Sequence, residues 1–173
     1  MDLRLFIAID LPEHVKKEIG ELLDILKKYD ADIKWLLPEN IHLTLKFLGA
    51  TPESLVARIR EALLPLVSSY EPFYITILST GVFPSKKYPR IIWIGIVDSD
   101  ILKELRDRIE IAMSLLGFQR EDKKFHPHLT LGRVRAQRGM ISLMEELDLF
   151  HDKQFGSFRV DQVKLMKSEL KQK

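Results

Sequence analysis

The chain has 173 residues, 27 of them basic and 25 acidic, with no cysteine and a formal net charge of +2. Without thiols, disulfides, cysteine-based zinc sites and cysteine nucleophiles are excluded, and so balanced a charge does not by itself predict binding to nucleic acid. Hydrophobic residues make up 46%, enough for one core; no leader-like start and no run near ~20 apolar residues is present, so a soluble cytoplasmic protein is expected.

Leu3 to Ile9 is a short apolar run and predicts a buried strand. Asp10-Leu11-Pro12-Glu13 reads as a helix start with Asp10 as cap, followed by one apolar stripe, Val15, Ile19, Leu22, Leu23 and Leu26. Ile33–Leu36 reads as a short strand, Pro38–Asn40 as a turn, and Ile41–Leu48 as a strand ended by Gly49. Thr51-Pro52-Glu53 opens a second helix, with Pro65 expected to close it. Phe73–Leu78 is a strand, Gly81–Pro89 a loop, and Ile91–Val97 a strongly apolar strand in which Trp93 is expected to be core. Asp98 or Ser99 caps a third helix striped by Ile101, Leu105, Ile109, Ala112 and Leu116, with Gly117 as its stop. His128–Val134 is a strand, Ser142–Glu145 resembles a capping box in a short helix, and Phe158–Met166 reads as the last strand.

The chain repeats itself. Arg4–Ile9, a helix, then Ile41-His42-Leu43-Thr44-Leu45 parallels Ile91–Ile96, a helix, then Pro127-His128-Leu129-Thr130-Leu131. Phe6 to His42 spans 36 positions and Trp93 to His128 spans 35. The units run over approximately 3–67 and 90–166 of a single bilobed domain covering 1–173. Two copies of one unit pack about a pseudo-two-fold axis, so the expected fold is α+β: two antiparallel sheets facing a central cleft, with helices outside.

Side chains alternate along a strand, so His42 and Thr44 share one face and Leu43 and Leu45 the other; His128 and Thr130 oppose Leu129 and Leu131 likewise. One His-x-Thr on a strand is weak evidence, since threonine favours strands and solvated histidines are common. Two copies at matched places in a repeat predict one site holding two imidazoles. Histidine titrates near 6.5, so one ring can be neutral and the other charged, which suits paired acid and base work at a phosphorus. The Thr44 and Thr130 hydroxyls can hold the non-bridging oxygens. Lys46, in phase with His42 and Thr44, is a further candidate for the phosphate; its counterpart is Gly132. Arg133 is out of phase with His128 unless the strand bulges. With Tyr88 and Arg90 it is a candidate for RNA contact, since Lys86, Lys87 and Arg90 surround Tyr88, and Arg133, Arg135 and Arg138 follow the second motif.

With those motifs the chain resembles the two-histidine (2H) phosphoesterase superfamily, specifically the LigT-type RNA 2′,3′-cyclic phosphodiesterases, also called 2′-5′ RNA ligases. The matching pieces are Arg4–Ile9, His42-Leu43-Thr44-Leu45-Lys46-Phe47-Leu48-Gly49, Gly81–Pro84, Pro89–Trp93 and Pro127-His128-Leu129-Thr130-Leu131-Gly132-Arg133. The resemblance implies hydrolysis of a terminal 2′,3′-cyclic phosphate to a 2′-phosphomonoester, with His42 as proton donor, His128 as proton acceptor and Thr44 and Thr130 on the phosphate. It also implies reversible 2′-5′ joining of tRNA halves. No cofactor, no metal, no membrane partner and a monomeric state are expected. The family pattern continues past Ser168-Glu169-Leu170 to a Gly and a Tyr, whereas this chain stops at Lys173, so the expectation is that either a closing segment is missing or the chain is truncated.

Two rivals compete. His126 and His128 could share a face as metal ligands, but Pro127 lies between them and no acidic third ligand is evident. A non-catalytic RNA-binding module on the same fold is the other, and it would be marked by loss of a histidine.

Overall fold

The structure, a computed structural model, describes residues 1–97 and 99–169. β1 (Asp2–Ile9) is the centre of a three-stranded antiparallel sheet in the order β3-β1-β8, with β3 at Leu43–Pro52 and β8 at Lys164–Lys167. The second sheet has five antiparallel strands in the order β2-β6-β5-β4-β7. They are β2 (Ile33–Trp35), β4 (Phe73–Phe83), β5 (Ile91–Ile96), β6 (His128–Val134) and β7 (Gln154–Val160). The helices are α1 (Glu13–Leu26), α2 (Val56–Ser68), α3 (Asp100–Ser114) and α4 (Met140–Asp148).

The predicted stripe of α1 is fully used: Val15, Ile19, Leu22, Leu23 and Leu26 are all buried. Each such side chain contributes about 1.5–3 kcal/mol of transfer free energy, so the stripe fixes where the helix lies. It lies on β7 of the five-stranded sheet, and α4 packs on β4 of the same sheet; α3 packs on β3 of the three-stranded sheet, beside α2. The helix of each sequence repeat thus covers the other repeat's sheet. β2 also crosses over to pair with β6, and β8 returns to pair with β1.

Several boundaries differ from the sequence reading. α1 starts after Pro12 with no side-chain cap, because Asp10 is engaged elsewhere. β3 does not stop at Gly49 but passes through it at φ 69°, a conformation that glycine adopts without a Cβ penalty. α2 continues through Pro65 to Ser68. The segment Gly81–Phe83, expected in a loop, extends β4. The predicted last strand is two, β7 and β8, and they sit in different sheets. The fourth helix starts after Gly139 in a left-handed conformation rather than on a Ser142 capping box. Ser99 caps α3 by accepting from the Leu102 amide at 3.2 Å; Asp98, the alternative, lies outside the described residues.

Candidate active site

On both motif strands the leucines point inward and the polar residues do not. Leu43, Leu45, Leu129 and Leu131 are buried, whereas His42, Thr44, His128 and Thr130 are only partly so. The strands β3 and β6 lie against each other, which brings the two motifs together across the junction of the sheets.

Each strand carries a β-bulge at the same place. In the first sheet Ile7 faces Lys46 and Ala8 faces Thr44, leaving Leu45 as the extra residue. In the second, Ile92 faces Gly132 and Trp93 faces Thr130, leaving Leu131 extra. A bulge inverts the alternation beyond it. Lys46 is therefore turned away from the His42 face, correcting its expected place on the phosphate. It is 5% exposed, and its Nζ donates to Glu110 Oε2 at 2.7 Å and to the Gln119 carbonyl at 2.9 Å. The same inversion brings Phe47 and Arg133 onto the histidine face, as partners of Phe6 and Ile91. Phe47 is 72% exposed. Arg133 is exposed too and neighbours Lys34 across the strand pair.

Tyr88 and Arg90 lie in the β4–β5 connection, with the Arg90 guanidinium 5.8 Å from the Tyr88 ring centre. The connection is tied to the chain after β6, since Val134 N donates to the Arg90 carbonyl at 2.9 Å and Gln137 Nε2 to that of Pro89 at 3.0 Å. His128 pairs with Gly95, five residues further along, so this loop is roughly 16 Å from the histidine measured along the strand.

The two imidazoles are set differently. His128 Nδ1 lies 2.6 Å from the His126 carbonyl oxygen. A carbonyl only accepts, so Nδ1 carries the proton and Nε2 keeps its lone pair for a reacting group. Burial lowers the His128 pKa from its ordinary value, partly opposed by the His126 carbonyl and assisted by the His126 ring. Phe83 meets His128 edge-on at 5.0 Å between ring centres and contacts Trp93 at 5.1 Å. Trp93 is not a core residue: it is partly buried on the histidine face and lies across two glycines. A Cβ on Gly81 would clash with the indole ring, and one on Gly95 would lie 3.2 Å from it. Beside His128 these rings open into a pocket of about 400 Å³, also lined by Phe125, Lys124 and His126.

His42 is shielded by Phe6 at 5.9 Å between ring centres. Its Nε2 lies 3.9 Å from Asp10 Oδ1. Burial lowers its pKa most; Asp10 and the Asn40 backbone raise it, while Lys16 and Lys164 lower it. Asp10 itself is clamped: Lys164 Nζ donates to Oδ2 at 2.9 Å, Leu11 N to Oδ1 at 2.9 Å, and Lys16 Nζ stands 3.4 Å from Oδ1. Burial raises its pKa, and the Lys164, Leu11 and Lys16 contacts bring it below the ordinary carboxylate value. In the sequence Asp10 reads as a helix cap, and strand alternation does not mark Phe47, which joins the histidine face only through the bulge, as Arg133 does.

Such a site can place a phosphate between a base and an acid, with two hydroxyls to hold its oxygens. Among the described residues no three His, Asp or Glu side chains gather as a metal's ligand set, and no helix is long and apolar enough to cross a membrane.

Residues 11–172 match the family model described as the 2′-5′ RNA ligase superfamily. The chain is 36% identical, over 98% of its length and 92% of the relative's, to a protein of Methanothermobacter thermautotrophicus named RNA 2′,3′-cyclic phosphodiesterase. It is 37% identical to a protein of the same name from Methanocaldococcus jannaschii, covering 97% of this chain and 92% of that one. Among solved structures, a Thermus thermophilus protein superposes with a TM-score of 0.78 at 27% identity, over 98% of this chain and 91% of that one. Escherichia coli LigT complexed with 3′-AMP superposes at 0.72 and 24% identity, over 99% and 91%, a likeness of fold.

Proposed function

The chain belongs to the 2′-5′ RNA ligase superfamily, and we propose that it is an RNA 2′,3′-cyclic phosphodiesterase working by two-histidine acid–base catalysis. The relatives that match nearly its whole length bear that name. The observation that carries the residue assignment is the pair of half-buried histidines on matching bulged strands, one with its Nδ1 proton committed to a backbone carbonyl.

In this reading the cyclic phosphate lies between the rings. His128 Nε2 takes a proton from water as the water oxygen attacks phosphorus. The P–O3′ bond breaks on the opposite side, and His42 gives its proton to the departing O3′, leaving a 2′-phosphomonoester. Thr44 and Thr130 donate to the non-bridging oxygens, and Arg133, on the same face five residues along β6, reaches back with its long side chain to supply the positive charge that Lys46 does not. Donors fixed on strands before the reaction cost no reorganisation when charge builds up. Phe47 offers an exposed ring for a base, and Tyr88 with Arg90, farther along the strand, a contact for the RNA chain. Replacing the attacking water by a ribose hydroxyl turns the same machinery toward 2′-5′ joining. The pocket beside His128 supports that second activity: it is on the attacking side and larger than a water requires. tRNA halves as joining substrates, a monomeric state and a cytoplasmic address belong to the same proposal.

The test is a short RNA with a 2′,3′-cyclic end, incubated in EDTA and resolved by chromatography. A 2′-phosphate product that disappears in both His42→Ala and His128→Ala supports the reading. Binding without ring opening would make the protein a binding module and sink it.

A further inference from the structure

The two histidines occupy equivalent positions, yet their neighbours on the adjacent strand are not equivalent. In the second sheet Ile94 faces Leu129, and one step on Gly95 faces His128. In the first, Ile9 faces Leu43, and one step on are Asp10 and His42. The structural counterpart of Asp10 is therefore a glycine. No side chain fits at Gly95, since a Cβ there would lie 2.9 Å from the Leu78 carbonyl oxygen and 3.2 Å from Trp93. A carboxylate flanks one histidine and is sterically excluded from the other.

That carboxylate is held in place. Lys164 of β8, Lys16 of α1 and the Leu11 amide fix both of its oxygens, leaving Oδ1 at 3.9 Å from His42 Nε2. Among the described residues the charged groups around His42 are Asp10 at the end of β1, Lys16 and Lys164. The His42 side chain is only 13% exposed, so solvent screens the pair less than it would at the surface.

We propose that Asp10 is a positioning residue that stabilises the imidazolium of His42, and that it assigns the proton-donor role to that half of the pseudo-symmetric site. This rests on the reading of His42 as proton donor. The two lysines keep the carboxylate ionised and oriented, and the carboxylate in turn offsets their repulsion of a charged His42. At His128, among the described residues, only a carbonyl favours the charged ring, which leaves that ring to act as base. The pseudo-two-fold site becomes directional through one residue.

Asp10→Asn tests this, because the amide keeps the size of the side chain and its one oxygen can still accept from Leu11, while the charge and the second acceptor, which faces Lys164, are gone. His42 and His128 are titrated by NMR with ring-labelled histidine, assigned through His42→Gln and His128→Gln. In Asp10→Asn the His42 midpoint should drop by roughly one pH unit, the scale of an opposite charge a few ångströms away, with His128 unmoved. Lys164→Met should move His42 the other way. The alkaline limb of the kcat profile for cyclic-phosphate opening should follow His42 downward in Asp10→Asn, while the acid limb stays. Asp10→Glu should restore part of the shift. An unmoved His42 midpoint overturns the proposal and makes Asp10 a surface ion-pair residue of little consequence. A moved midpoint with an unmoved alkaline limb overturns it too, because His42 protonation would not then govern the rate. If the wild type opens no cyclic phosphate, the proposed function fails instead, and the NMR midpoints still report whether Asp10 acts on His42.

Discussion

The strands β3 and β6 carry the same four-residue motif and the same bulge, and they differ at the two residues that follow. After the bulge β3 has Lys46 and Phe47, where β6 has Gly132 and Arg133. Lys46 spans inward to Glu110 of α3 and to Gln119, tying the first motif strand to elements of the second repeat. At Gly132 there is no room for such a strut, since a Cβ would meet Ile33 and Trp35 of β2 at 2.8 Å. On the histidine face one half presents an aromatic ring and the other a guanidinium. In the proposed reading, the repeat supplies the symmetric part, two histidines and two threonines, and the differences after the bulge and at Asp10 supply the parts that tell one end of a substrate from the other.

The largest expected effect tests the symmetric part. His42→Ala and His128→Ala should each lower kcat/KM for cyclic-phosphate opening by roughly 10²–10⁴-fold, the usual worth of a positioned acid or base. Comparable losses in both halves fit a shared site. A loss confined to one of them would mean that the other histidine is a passenger and that the comparison breaks at its centre.

The next test removes the strut. Lys46 and Glu110 have side chains 4% and 3% exposed, so Lys46→Ala leaves a buried carboxylate with Arg106 at 3.6 Å and the Glu121 amide at 3.2 Å for compensation. Breaking a buried pair costs about 3–5 kcal/mol, and the urea midpoint should fall accordingly. Replacing both partners, Lys46→Met with Glu110→Leu, should recover most of that stability, because the buried pair leaves together and Arg106 keeps Asp107 at 3.1 Å. A recovery of stability without a recovery of activity would show that the strut also sets the register of the first motif.

A smaller effect separates Phe47 from Arg133. Stacking a base on an exposed ring is worth about 1–3 kcal/mol, so Phe47→Ala should raise KM for RNA and leave its salt dependence alone. Arg133→Ala should weaken binding and flatten the dependence of log KM on log salt by about one ion's worth. Identical salt slopes in the two variants would remove Arg133 from the phosphate path.

How much of this is legible in the sequence follows from what a bulge does. The repeat, the paired motifs and the burial of Leu43, Leu45, Leu129 and Leu131 come from strand periodicity, and the α1 stripe from helical periodicity. Periodicity carries no mark of an extra residue, so it puts Lys46 on the wrong face and does not single out Phe47. The sequence repeat aligns Phe6 with Trp93, whereas the strand pairing makes Ala8 the counterpart of Trp93, since these two face Thr44 and Thr130. That two-residue offset hides Asp10 opposite Gly95. The exchange of α1, β2 and β8 between sheets is equally invisible, because nothing local encodes which sheet an element joins.

The smallest expected effect is on stability against pH, and it again sets one half against the other. Both histidines have folded pKa values below their ordinary one. The unfolded chain therefore binds more protons than the folded one as pH falls past about 6.5. Stability should be unaffected by these rings above that point and should decline as pH drops from about 7 toward 5. The Asp10 carboxyl, also depressed, adds to the loss only at lower pH, once unfolded carboxylates begin to protonate near 4. Burial drives the lowering at both histidines, but only at His42 does a carboxylate oppose it. His128→Gln should therefore flatten the decline in urea midpoint between pH 7 and 5 more than His42→Gln does. Asp10→Asn should steepen it, because His42 then loses an anionic neighbour and its protonation penalises the folded state further. Equal flattening by the two histidine variants, with Asp10→Asn without effect, would mean that the carboxylate does not distinguish the halves.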